Sequence, residues 1–244
     1  MKGLVLPLGF VVIWELTARA GVFPAFVLPA PSTIAAELVR MLKAGELWAH
    51  LGASVLRVLL GFAVGATIGG ALGFAVGLNP RGEAFVDPSV QAVRSVPSLA
   101  WVPLLLLWMG IGEAPKITLI AIGSFFPVYL AAISGVRGTD RKLVELARIH
   151  GLGRFAIVRA VIFPSSLPSM LTGLRTGLAV AWLYVVAAEL MAAHAGLGFL
   201  LTDGRELSRA DLIFVAIALL ALCGKVSDGV LTRIERHLLR WRDS

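Results

Sequence analysis

Residues 137–164 read RGTDRKLVELARIHGLGRFAIVRAVIFP, a charged, helix-forming island between two very apolar stretches. Thr139 or Asp140 is placed to N-cap a helix running to about His150, with Gly151 as the residue that ends it. On that helix Leu143, Leu146, Ala147 and His150 share one face, and Arg141, Lys142, Glu145 and Arg148 lie around it. A second short helix is expected from about Arg154, ending before Pro164. Two short helices joined at Gly151-Leu152-Gly153 make a compact knob whose small residues permit close docking. From the residues alone, a solvated loop and a docking knob both fit.

Outward from the island the chain is close to hydrocarbon. Of 244 residues 58% are apolar and only 15% charged, with a mean hydropathy of +0.87. A soluble domain carries about a quarter charged residues, so this chain is expected to be an integral membrane protein. The net charge of +7 does not point to nucleic acid, because no basic residues interleave with aromatics on a polar face. It reads instead as the loop Lys and Arg of a membrane protein. The single cysteine, Cys223, excludes an internal disulfide and a cysteine metal site. Met1-Lys2 with Ala18-Arg19-Ala20 resembles a signal peptide, but Glu15 interrupts the apolar run, and the segment reads as an uncleaved first span.

Uncharged runs give the spans. Val58–Leu78 has 21 residues, Ile117–Val136 has 20 and Ser95–Gly112 has 18, against the roughly 20 that cross a bilayer core. Gly3–Trp14, Thr176–Ala188 and Leu212–Gly224 become long enough only by accepting a flanking charge. Six spans with the N- and C-termini inside put twelve Lys/Arg in cytoplasmic segments, against six outside: Arg19, Arg40, Lys43, Lys116, Arg205 and Arg209. That asymmetry places the island in the cytoplasm. An external connection over 21–50 is broken by Pro24, Pro29 and Pro31. It carries a helix from an N-cap at Ser32 to Leu42, which reads as amphipathic and interfacial.

Gly61, Gly65, Gly69, Gly73 and Gly77 recur every fourth residue, a groove for close backbone approach either within one subunit or across a dimer. Pro97 and Pro103 kink or break the third span, which either lines a substrate path or only packs. Phosphate-loop, zinc-protease and nucleophile-elbow patterns are absent, and His50, His150, His194 and His237 are scattered. Energy from ATP would therefore come from another chain.

Glu145-Leu146-Ala147, Gly151 and Val161-x-Phe163-Pro164 follow the spacing of the EAA loop, so the chain resembles ABC importer permeases. Leu146, Val161 and Phe163 depart from that pattern and stay apolar. Leu28-Pro29-Ala30-Pro31-Ser32, Arg94-Ser95-Val96-Pro97, the Pro103 to Gly112 run, Leu171-Thr172-Gly173-Leu174-Arg175, Ala188-Glu189-Leu190 and Gly196-Leu197-Gly198 extend the likeness. Together they are similar to the nitrate, sulfonate and taurine type. The resemblance implies one all-α permease domain over 1–244, of the type I importer fold, multi-pass in a bacterial inner membrane. Its coupling loop would span 137–164. Glu145, Leu146, Ala147, Gly151 and Pro164 would occupy the positions that couple to the ATPase. The partners implied are a second permease copy, two ABC ATPase subunits holding ATP and Mg, an external solute-binding protein and the bilayer, with no cofactor or metal on this chain and no nucleic acid.

Candidates for the translocation path are Arg94, Ser98, Trp101, Arg175, Trp182 and Glu189, since ionisable groups in spans are functional candidates by default. For Arg175 and Glu189 an inter-helix salt bridge or gate contact stands beside substrate contact. For Trp101, Trp108 and Trp182 an interface anchor stands beside a path role. The competing reading is an ion-coupled secondary transporter acting without an ATPase; it predicts internal repeats and mid-span acids, which the sequence does not display.

Overall fold

The computed structural model describes residues 5–240, apart from the side chains of Val5, Pro7, Pro80, Ser98, Met191 and Ala192. The first two residues of the expected first span, and Lys2 and Arg242, lie outside the described residues. The helices in chain order are α1 Val5–Arg19, α2 Pro31–Ala44, α3 Glu46–Gly77, α4 Pro80–Ser95, α5 Val102–Met109, α6 Glu113–Arg137, α7 Arg141–Ile149, α8 Arg154–Ile157, α9 Phe163–Ala192, α10 Leu197–Glu206 and α11 Ala210–Leu238. No strand occurs among the described residues.

Among the described residues the six-span count becomes four continuous spans and one broken pair. The continuous ones are α3, α6, the unbroken helical stretch Arg154–Leu190, and α11. The uncharged run Ser95–Gly112 is not one helix. It falls partly in α5, while the polar helix α4 precedes it, and the pair bends by 80°. Pro97 sits at the break, before a short 3-10 turn Ser98–Trp101. Pro103 lies in the first turn of α5, where a missing N–H is harmless. The described part of α1 has 15 residues, about 22 Å at ~1.5 Å per residue.

The chain packs as two compact units. The larger, Arg57–Val185 with Gly224–Ser244, is built on α6, whose Leu119, Ile120, Ser124, Val128, Tyr129 and Ala132 are buried. The glycine stripe of α3 lies against α6 of the same chain. Side chains built at Gly61, Gly65, Gly69, Gly73 and Gly77 would meet Ile117 and Ile120, Ala121, Phe125, Tyr129, and Ile133 and Val136 in turn. Two helices with residues recurring every fourth position thus mesh backbone to backbone, and the stripe serves packing within one subunit. On another side of α6, Gly173 and Gly177 of α9 lie against Ala131 and Val128.

The smaller unit, Met1–Leu56 with Val186–Cys223, has its core in Met41, Leu47, Leu197, Leu200, Leu212, Val215, Ala216 and Leu219. Ile34 and Leu38 of α2 pack on this core. Part of the apolar face of α2 therefore meets protein. Ser32 does not cap this helix. Ala30 occupies the N-cap without a side-chain bond, and Pro31 opens the helix. The Ser32 N–H and hydroxyl instead donate to Glu15 of α1, at 3.0 and 2.7 Å. A carboxylate from a second helix thus takes the capping role.

Candidate functional site

The knob forms largely as its local signals dictate. Asp140 caps α7, its side chain accepting from the Lys142 N–H at 2.9 Å. Gly151 closes the helix at φ +74. The Leu152 N–H reaches the Ala147 carbonyl at 3.1 Å and the Gly151 N–H reaches that of Arg148 at 2.9 Å. That is the Schellman arrangement, and its left-handed position suits glycine. A groove of about 380 Å³ is lined by Leu143, Leu146, Ala147, His150, Leu152, Ala160, Val161, Pro164 and Ser165. The predicted face of α7 therefore lies over the start of the following helix.

One boundary differs. Pro164 does not end the second helix: α8 continues through a π-helical segment, Val158–Ile162, into α9. There the Phe163 N–H bonds the Val158 carbonyl, five residues back. The wider turn just before the proline accommodates a residue that would break a tighter helix. Pro164 is thus the second residue of a long helix, and Arg137 is the last of α6. The loop proper is shorter than 137–164.

Ala147 is buried, whereas Leu143 and Leu146 are about half exposed. Ile149 is 81% exposed and Phe155 is 78% exposed. Arg141, Lys142, Glu145, Arg148, Arg154 and Arg159 are exposed too, and none has an ion-pair partner among the described residues. Large exposed apolar side chains beside unpaired charges make this surface a candidate docking face.

The other predicted residues divide differently. Arg175 reaches α11, with Nε on Asp228 at 2.9 Å and Nη1 on Glu235 at 3.2 Å. Trp182 joins the same helix, its indole N–H donating to Ser227 Oγ at 2.9 Å. Both candidates are thus brought to one neighbouring helix. Arg94 is exposed in the last turn of α4, with no polar partner among the described residues. Trp101 ends the 3-10 turn, half-buried, and the Ser98 side chain is outside the described residues.

Glu189 is 1% exposed. Its carboxylate accepts from the Ser54 hydroxyl at 2.7 Å and from the Gly198 N–H at 2.7 Å. Ser54 Oγ also accepts the Leu197 N–H at 2.7 Å, and His50 Nδ1 accepts the Gly196 N–H at 3.2 Å. Three N–H groups at the start of α10 are thereby satisfied, and the carboxylate sits at the favourable end of the helix dipole. Gly196 has φ +139, and a Cβ there would strike the Glu189 carboxylate. His50 and Ser54 were missed by sequence reading. So was a cluster in which Glu113 joins Arg57, at 2.5 Å, and Lys116, at 2.9 Å. No local pattern connects His50 and Ser54 to the start of α10 or Arg57 to Glu113; only the Glu113–Lys116 pair is local, three residues apart on α6.

With this geometry in view, comparisons with known proteins agree. Residues 61–240 match the family described as binding-protein-dependent transport system inner membrane component. A putative aliphatic sulfonates transport permease protein of Bacillus subtilis (strain 168) is 43% identical over 244 residues, covering 100% of this chain and 88% of that protein. The Escherichia coli (strain K12) protein of the same description is 41% identical, over 97% and 90%. The taurine transport system permease protein of that organism is 35% identical, over 94% and 85%. Among solved structures, an inward-facing methionine ABC transporter superposes with a TM-score of 0.67 at 21% identity, over 79% of this chain and 97% of that one. An amino acid ABC transporter gives 0.63 at 17% identity, over 83% and 97%. These relatives are transport permeases rather than enzymes, and they favour an ABC importer over an ion-coupled transporter acting alone. The chain belongs to the inner-membrane components of binding-protein-dependent transport systems, as a multi-pass permease subunit of an ABC importer.

Proposed function

We propose that this permease passes a small organic anion of the aliphatic sulfonate or taurine type, delivered by an external binding protein. Two copies form the pathway, and an ATPase subunit holding ATP and Mg grips each knob. The observation that carries this reading is the knob surface, where Ile149 and Phe155 stand in solvent among unpaired cations. Three relatives named for sulfonates or taurine support the substrate class. The chain crosses the membrane six times with both termini inside, α1 and the bent α4–α5 pair completing the four long spans. The excess of Lys and Arg on the inner side supports that orientation. Glu145, Leu146, Ala147 and Gly151 form the coupling surface, and Pro164 anchors it to α9. Arg94, Ser98 and Trp101 line the path, because a polar, broken helix at membrane depth needs a cavity or protein around it. The contacts of Arg175, Trp182 and Glu189 support a role in tying helices together.

The test is reconstitution of permease, ATPase subunit and binding protein in proteoliposomes, measuring uptake of taurine and ethanesulfonate. Uptake should require ATP. Gly151→Asp should abolish it while leaving membrane insertion intact, because it puts a side chain and a charge at the left-handed position in the docking face. Uptake by the permease alone, driven by an ion gradient, would refute the reading.

A further inference from the structure

The loop before α6 carries part of the Pro103 to Gly112 run, which the transport reading leaves unused. Gly110 has φ +73, and both Gly110 and Gly112 have open space where a side chain would sit. Ile111 between them is exposed. The loop that leads into Glu113, the first residue of α6, is therefore glycine-rich and unpacked.

Glu113 Oε2 receives Arg57 Nε at 2.5 Å, and Oε1 receives Arg57 Nη2 at 2.8 Å and Lys116 Nζ at 2.9 Å. The burial of this cluster is inverted. The Arg57 and Lys116 side chains are 7% and 6% exposed, whereas that of Glu113 is 55% exposed. In the ion pairs of Arg19, Arg40, Arg137, Arg175 and Arg209 the guanidinium is about as exposed as its carboxylate, or more so. Neutralising buried cations is most effective when the counter-ion is buried with them. Here the cationic half is buried, and the anion is the exposed first residue of α6, one turn before Lys116.

We propose that Arg57 and Lys116 form an anion-binding site, that Glu113 fills it as a tethered placeholder, and that the oxyanion head of a small organic anion displaces it. The donors are a guanidinium fork and an ammonium, which suit a head bearing two or three oxygens. A sulfonate or carboxylate replaces one negative charge by another, so the exchange keeps the charge balance beside the two cations. Arg57 has further contacts, and the site needs only the two N–H groups that meet Glu113. The biological ligand rests on the anionic cargo proposed above; the site itself is tested with simple anions.

The purified permease–ATPase complex is spin-labelled at Ile111→Cys in a Cys223→Ser background and titrated with ethanesulfonate. Label mobility should rise and saturate as Glu113 is released, and neutral diethyl sulfone should have no effect. Equilibrium dialysis with radiolabelled ethanesulfonate should show about tenfold tighter binding in Glu113→Gln. Lys116→Gln should bind about tenfold more weakly, as expected for one lost charge-assisted hydrogen bond. Arg57→Lys keeps the charge and should retain the label response at lower affinity. A structural ion cluster predicts instead that both neutral variants lose thermal stability and that neither shows an opposite shift in anion affinity. Shifts of the same sign, or a label blind to ethanesulfonate, overturn the proposal. If the titration succeeds while ATP-driven sulfonate uptake fails, the cargo assignment is wrong and the site stands.

Discussion

Phe155→Ala separates docking from folding. Phe155 is 78% exposed in the chain alone. Taking roughly 150–250 Å² for a fully exposed aromatic, it offers about 120–190 Å² to a partner, worth about 3–5 kcal/mol at ~25 cal/mol per Å². Ordering costs and the Cβ that remains reduce the expected loss to about 2–3 kcal/mol, on the order of 30- to 150-fold in affinity. The same change should alter folding stability by no more than about 0.5 kcal/mol, since the ring is mostly in solvent. The assay is surface plasmon resonance of detergent-purified permease against its ATPase subunit, with thermal unfolding measured on the same samples. Ile149→Ala should behave alike at somewhat smaller magnitude, being as exposed but smaller. Affinity within threefold of wild type would refute the reasoning. So would a loss of affinity that tracks a fall in melting temperature, because the ring would then be supporting the fold.

Gly65→Ala places a Cβ 2.3 Å from the Ala121 carbonyl oxygen and from Ser124 Oγ. It should destabilise the packing of α3 on α6 by about 1–3 kcal/mol. Gly52→Ala, on the same helix with nothing within 4 Å, should instead stabilise by about 0.5–1 kcal/mol; tryptophan-monitored unfolding should show opposite signs. Glu189→Ala strands the Ser54 hydroxyl and the Gly198 N–H, at about 1–3 kcal/mol for each buried group. Glu189→Gln keeps an acceptor and should cost less, and equal losses in thermal unfolding would count against the helix-capping role. Glu37 of α2 is held below the usual carboxylate range, first by hydrogen bonds from Arg40 and then by Arg209. Its folded value is depressed, so its contribution is present above about pH 4.3 and lost as pH falls through the folded value. The melting-temperature gap between wild type and Glu37→Gln should therefore close as pH drops below about 4.

The parts of the fold legible in sequence are those fixed by neighbours in the chain. Asp140 and Gly151 bound α7 because a cap and a left-handed turn need only the adjacent backbone. The glycine repeat was legible as close approach. Its partner was not, since the matching positions on α6 acquire meaning only when two helices lie together. Counting uncharged residues missed α4, because it measures hydrocarbon length, and Arg81, Glu83, Asp87 and Arg94 hid a helix that Asn79 caps. Pro164 misled for a complementary reason: proline breaks a regular α-helix, and no sequence signal announced the π turn that relieves it.

The candidate site shows a limit of a different kind. An ionisable residue inside an apolar run attracts attention because burying a charge is expensive, and that rule selected Arg175 and Glu189. The expense is met in both cases by contacts 53 and 135 residues away in sequence. Those contacts tie helices together. In the knob the logic reverses. Its charges are cheap to expose and drew notice only through contrast with their surroundings, yet they have no partner within the described chain, and Ile149 and Phe155 beside them are left in water. In a protein whose surface is mostly lipid-facing, polarity alone therefore does not locate function. The discriminating property is unsatisfied capacity outside the hydrocarbon, where an apolar side chain gains nothing unless something arrives to cover it.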